Sequence, residues 1–138
     1  MNEAVRLLEV CDKNMPILVA DDFAGMRKIV KAQLKSLGFE NIIEVEDAQQ
    51  MATCLSRGEA KLLITDSFLP ELDLKELFSY VESSRGGSIP ILLVSPESQK
   101  DKVTPPHKEE TRTGVIAKPF TKEILAEKIA GLIGKPKV

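Results

Sequence analysis

Cysteine, histidine and long apolar runs are all scarce in this chain of 138 residues. The two cysteines, Cys11 and Cys54, stand far apart and form no C-x-x-C pair. The expectation is two reduced thiols in a cytoplasmic protein, not a disulfide. The one histidine, His107, falls in the charged run His107-Lys108-Glu109-Glu110 and reads as a solvated side chain. With it, no His/Cys set is left for zinc. The apolar runs stop at a handful of residues, far short of the ~20 that span a bilayer. The start, Met1-Asn2-Glu3-Ala4, lacks the positive and apolar stretches of a secretory leader. Charge of one sign is also lacking: 19 basic residues against 21 acidic give a net charge of −2. A nucleic-acid surface needs a clustered basic excess, so none is expected. There is no G-x-G-x-x-G, no internal repeat and no linker to a second domain. What is present, 43% hydrophobic and 29% charged residues, suits one globular domain with a single core.

Short strand patterns alternate with helical ones. Ile17-Leu18-Val19-Ala20 runs into Asp21-Asp22, and Lys61-Leu62-Leu63-Ile64-Thr65 runs into Asp66. Ile91-Leu92-Leu93-Val94 ends in Ser95, and Val115-Ile116-Ala117 ends in Lys118-Pro119. Asn41 to Val45 reads as a fifth, short strand. Between them, Met26, Ile29, Val30, Leu34 and Leu37 form a helical stripe closed by Gly38. Asp47-Ala48-Gln49-Gln50 and Asp73-Leu74-Lys75-Glu76 are capping-box patterns. They open helices ending near Gly58 and Ser83. Arg85-Gly86-Gly87-Ser88 is a turn, and Thr121 caps a last helix with Ile124, Leu125, Ile129, Leu132 and Ile133 on one face. Lys128, Lys135 and Lys137 suit its C-terminal half. Strands separated by helices imply βαβ units, hence a doubly wound five-stranded parallel α/β sheet with helices on both faces.

Two stretches break this rhythm. Residues 1–15 form an N-terminal extension in which Ala4, Leu7, Leu8 and Cys11 have helical spacing. It is read as an extra helix or as a frayed leader, ahead of a domain over 16–134. Residues 96–113 stand where a helix is expected but hold Pro96 and Pro105-Pro106 and almost no apolar stripe. A proline pair cannot sit inside a helix. A short helical turn near Glu97–Val103, followed by a mobile polar loop with fast amide exchange, is expected there.

Neighbouring parallel strands lie about 4.8 Å apart, so Asp21, Asp22 and Asp66 should converge. Ligands in open α/β sheets bind at this carboxyl edge. Three crowded carboxylates either keep a proton or hold a cation. Oxygen-only ligands favour Mg²⁺ or Mn²⁺ over Zn²⁺. Adding the Lys118 ammonium and the Ser95 hydroxyl makes a set able to hold the oxygens of a transferring phosphoryl group, with a carboxylate as nucleophile.

At these residues the chain resembles the receiver domain of two-component response regulators. The carriers are Asp21-Asp22, Asp66, Ser95 and Lys118-Pro119-Phe120, with Leu69-Pro70 where the family commonly has Met-Pro. The resemblance covers about residues 15–134. The run Ala20-Asp21-Asp22-Phe23-Ala24-Gly25-Met26-Arg27-Lys28-Ile29-Val30 is similar to the single-domain, CheY-like chemotaxis type. For the fold this implies the flavodoxin-like order 2-1-3-4-5, of which that type is itself a standard illustration. For the site it implies Asp66 as phosphoacceptor from a sensor histidine kinase or phosphotransfer protein. It further implies Mg²⁺ held by Asp22, Asp66 and the backbone carbonyl of Phe68, with Asp21 reaching it directly or through water. Lys118 would pair with Asp66 and then with the phosphoryl oxygens, and Ser95 would swing to the phosphoryl group. The Lys118-Pro119 bond would be cis. The expected protein is a stand-alone, cytoplasmic receiver that signals by binding another protein. It is not an enzyme beyond helping its own phosphorylation and dephosphorylation, and whether it dimerises is left open.

The departures fall on the output side. Val115 stands where the family has the Tyr or Phe of a rotameric switch, Pro96 replaces a small residue, and Leu74 replaces a glycine. The helix after the fourth strand is atypical or degraded. Phe68 and Glu97 occupy positions that tune dephosphorylation in the family; Phe68 would shield the acyl phosphate or act as a plain lid or core residue. One rival reading is therefore a constitutive interaction module that keeps the fold but no longer switches. A weaker one is a metal-dependent phosphohydrolase, which lacks the D-x-D pattern after the first strand.

Overall fold

The apolar residues of the first, third and fourth strand patterns end up buried in the middle of a sheet covered on both faces, which is why those runs are apolar without alternation. The computed structural model describes residues 6, 8, 9, 11–82, 89–96 and 113–133. Chain order is β1 (Ile17–Ala20), α1 (Ala24–Ser36), β2 (Ile42–Val45), α2 (Ala48–Ser56), β3 (Leu62–Asp66), α3 (Leu74–Glu82), β4 (Ile91–Pro96), β5 (Thr113–Lys118) and α4 (Lys122–Ile133). The sheet is parallel, in the order β2-β1-β3-β4-β5 expected above. The expected turn at 85–88, the stretch 97–112 and Lys135 and Lys137 lie outside the described residues.

Strand parity divides the core into two layers, because successive side chains leave a strand on opposite faces. Ile17, Val19, Leu62, Ile64, Leu92, Val94 and Ile116 pack with α1 and α4. Leu18, Ala20, Leu63, Ile91 and Leu93 pack with α2 and α3. Leu8, from the extension, is fully buried in the first layer, and Cys11 leans on it. That end of the chain is tied on by Lys13, whose Nζ donates to the Leu37 carbonyl (3.2 Å) and sits 4.8 Å from the Phe39 ring centre.

The caps follow the sequence signals. In α1, the Phe39 N–H bonds the Leu34 carbonyl (3.0 Å) and the Gly38 N–H the Lys35 carbonyl (3.0 Å). That is a Schellman closure, with Gly38 at φ 102° as the left-handed residue. α2 closes in the same way through Gly58. Asp47 Oδ1 accepts from the Gln50 N–H (2.8 Å), but Gln50 returns its side-chain oxygen to the Glu46 N–H, one residue before the expected partner. Two predicted core positions face water instead: Ile29 and Ile124 are exposed. Each lies about 100° off a better-placed neighbour, Val30 or Leu125, and the narrow stripe that meets the sheet takes only one of each pair.

Candidate phosphoacceptor and metal site

The parity that sorts the core also aims the acids. Asp21 continues the set Ile17, Val19, and Asp66 continues Leu62, Ile64, so both leave the sheet on the face covered by α1 and α4. Val19 pairs with Ile64 and Ala20 with Thr65, so one step further brings Asp21 beside Asp66. Lys118 has the parity of Ile116 and joins that face. The outcome is a cluster in which carboxylate oxygens of Asp21, Asp22 and Asp66 lie within 4.8 Å of one another. The Lys118 ammonium stands 3.7 Å from Asp66 Oδ2.

The two buried acids, Asp21 and Asp66, are each oriented by their own loop. Asp21 Oδ1 accepts from the Phe23 N–H (2.9 Å), and Asp66 Oδ1 accepts from the Phe68 N–H (2.9 Å). Both are the local turn that a short acidic side chain makes with the backbone two residues on. Asp21 and Asp66 are buried, whereas Asp22 faces solvent. Burial pushes the Asp21 carboxyl above its ordinary range, and the charges of Asp66 and Asp22 push the same way. The Phe23 N–H and the Lys118 charge oppose that shift without cancelling it.

Ser95 is fully buried at the same sheet edge, one residue beyond Val94, the register partner of Asp66. Its parity is therefore opposite, and its hydroxyl donates to the Pro96 carbonyl (3.5 Å). Among the described residues no hydrogen bond joins it to Asp66 or Lys118. Phe68 is 54% exposed, so it is no core residue; its backbone lies on the acceptor loop. Ser67 is buried beside it with an Oγ that has no hydrogen-bond partner. The Lys118-Pro119 peptide is cis.

Arg27 carries a role that no sequence pattern marked. Its guanidinium donates to the Asp21 carbonyl (2.6 Å) and lies 3.5 Å from Glu44 on β2. Lys31 also reaches Glu44 (3.3 Å). Spacing along α1 puts Arg27 one turn from the loop, but only the β2–β1 register brings Glu44 to it.

Comparison with known proteins gives the family. The model of the response regulator receiver domain matches residues 17–130. The chain belongs to the response regulator receiver family. It is 35% identical over 119 residues to the chemotaxis protein CheY of Pseudomonas aeruginosa, covering 83% of this chain and 93% of that one. It is 32% identical over 124 residues to CheY-3 of Vibrio cholerae, covering 87% and 92%. Among solved structures, the receiver domain of sensor histidine kinase PA1611 from P. aeruginosa superposes with a TM-score of 0.72 at 23% identity, covering 88% of this chain and 99% of that one. That structure holds a magnesium ion coordinated in its active site cleft. CheY4 of V. cholerae superposes with a TM-score of 0.70 at 21% identity, covering 87% and 99%. In this receiver, as in the sequence expectation, the sheet order is 2-1-3-4-5, and among the described residues no helix is long and apolar enough to cross a membrane.

Proposed function

We propose that this receiver accepts a phosphoryl group on the Asp66 carboxylate, from a phosphohistidine of a sensor kinase or phosphotransfer protein, and signals by binding another protein. The observation that carries the reading is the Lys118 ammonium 3.7 Å from Asp66, beside three carboxylates gathered within 4.8 Å. In the transfer, an Asp66 oxygen forms a bond to phosphorus as the bond from phosphorus to the histidine nitrogen breaks. The electron pair leaves with the imidazole. The Phe68 N–H holds Asp66 Oδ1 and so fixes the carboxylate's orientation, while Lys118 faces the other oxygen. Lys118 is thereby placed to balance charge on the incoming phosphoryl oxygens. Ser95 stands one strand position away and would reach the phosphoryl group by a local movement of the β4 end.

The donor set fits a hard, partly hydrated divalent cation, since it offers carboxylates and no sulfur or imidazole. Asp21, Asp22, Asp66 and the Phe68 carbonyl would hold Mg²⁺ or Mn²⁺. When bound, the ion offsets negative charge on the phosphoryl oxygens. The magnesium in the PA1611 receiver supports the choice.

A second reading, a receiver fold kept as a constitutive interaction module, is favoured by Val115. It is a half-buried aliphatic residue packed on the α2/α3 layer, with no ring to reorient. Intact mass after incubation with acetyl phosphate and Mg²⁺ separates the two. An adduct of roughly 80 Da, one phosphoryl group, is expected on the wild type and absent from Asp66→Asn. No adduct on a protein that still binds Mg²⁺ would sink the first reading in favour of the second.

A further inference from the structure

Away from the acceptor cluster, a hollow of about 100 Å³ opens between α2 and the start of α3. Its floor is apolar: Met51, Leu55 and Leu77 are buried there, with Ala52 and Leu72 part-exposed at its walls. A cavity of about 150 Å³ takes up benzene, so this hollow has the size of one branched aliphatic side chain. Its rim is of a different character. Glu71, Asp73 and Glu76 all line it and all face solvent, and among the described residues no cationic side chain lines it. Asp73 is engaged through Oδ1, accepting from the Lys75 and Glu76 N–H groups at the start of α3.

Glu71 is an unusual choice at its position. Leu69-Pro70-Glu71-Leu72 is a turn closed by the Leu72 N–H on the Leu69 carbonyl (3.0 Å). Proline stands second and the third residue, Glu71, has φ 64°, which is the type II pattern. Glycine or asparagine suits that third position, and any other L residue there costs stability. The cost is borne by an exposed acidic residue that lines the hollow. Strain of this kind points from an observed outlier to a function.

We infer that the α2/α3 hollow is a docking site for a basic protein segment, one Leu, Ile or Met side chain entering the hollow and flanking Lys or Arg residues meeting Glu71 and Glu76. Size selects the anchor and charge selects its flanks. The inference goes beyond phosphoryl transfer and needs no modified Asp66. The turn that carries Glu71 follows directly on the loop of Asp66 and Phe68, so an occupant here touches the segment next to the acceptor.

A displayed library of random peptides about 12 residues long, roughly three helical turns, selected on the unphosphorylated full chain, tests this. The expected consensus is a single aliphatic anchor within one turn of Lys or Arg. Amide shifts on titrating a selected peptide should centre on Met51, Ala52, Leu72 and Glu76. Glu76→Lys should weaken binding at least about tenfold, as should Ala52→Leu, which fills the hollow; a tenfold change corresponds to about 1.4 kcal/mol. Glu76 is exposed, so its variant keeps the inference testable even if Ala52→Leu disturbs the helix. Selected peptides without basic residues, or binding unmoved by Glu76→Lys, would overturn it. So would a dimer in sedimentation that Glu76→Lys dissociates, since the occupant would then be a second copy of the chain.

Discussion

Asp21 shows how one residue couples burial to pH. The folded protein holds the Asp21 proton more tightly than the unfolded chain does. Its protonation therefore adds stability that is complete below the ordinary carboxylate value of 3.8 and is lost as pH rises through the higher folded value. Asp21→Asn keeps an oxygen for the Phe23 N–H and removes the charge. In metal-free buffer its melting temperature should exceed that of wild type by a few degrees at pH 7, and the difference should vanish near pH 3. An equal or lower value at pH 7 would mean the buried charge is not penalised. Glu71 makes the opposite kind of statement, through backbone alone. A left-handed conformation costs an L residue about 1–2 kcal/mol, and glycine's extra freedom when unfolded returns part of that. Glu71→Gly should raise stability by about 0.5–1 kcal/mol in urea unfolding; a loss would mean that the carboxylate makes a stabilising contact.

At the scale of elements, local signals were legible wherever side chain and backbone act within one turn. Gly38 and Gly58 close α1 and α2 by the same hydrogen-bond pattern, and Thr121 Oγ1 accepts from the Ile124 N–H (3.2 Å) at the start of α4. Asp47 does the same for α2, so Asp47→Ala should cost about 1 kcal/mol of unfolding free energy; an unchanged denaturation midpoint would show that Glu46 and Gln50 suffice. The faces of helices were less legible. Ile29 and Ile124 satisfy an apolar period, yet the sheet receives Val30 and Leu125. Hydropathy gives the period of a stripe but not its width, which the partner surface sets.

For the molecule as a whole, the acceptor cluster exists because β1 and β3 are neighbours in register. Sequence places Asp21 and Asp66 each at a strand end; adjacency of those strands makes them one site. The N-terminal extension belongs to the same scale. Leu8 is fully buried against the α1/α4 layer, and we propose that the extension packs as part of the folding unit. Leu8→Ala should destabilise by about 2–4 kcal/mol, as for a buried leucine, and a change under about 0.5 kcal/mol would show that the extension is dispensable.

The residues themselves determined the strand and helix succession, the turns and caps, and the inventory of acids, hydroxyl and lysine at strand ends. These depend on interactions between near neighbours in the chain, and their signatures are short. Only the tertiary structure decided that Arg27 grips the Asp21 carbonyl while meeting Glu44. It alone turned Ser95 to the opposite parity from Asp66, buried Leu8, and put Glu71 among the residues lining an apolar hollow. Each of these needs groups brought together from separate elements, and the packing of α1 and α4 on one face and α2 and α3 on the other is what brings them there.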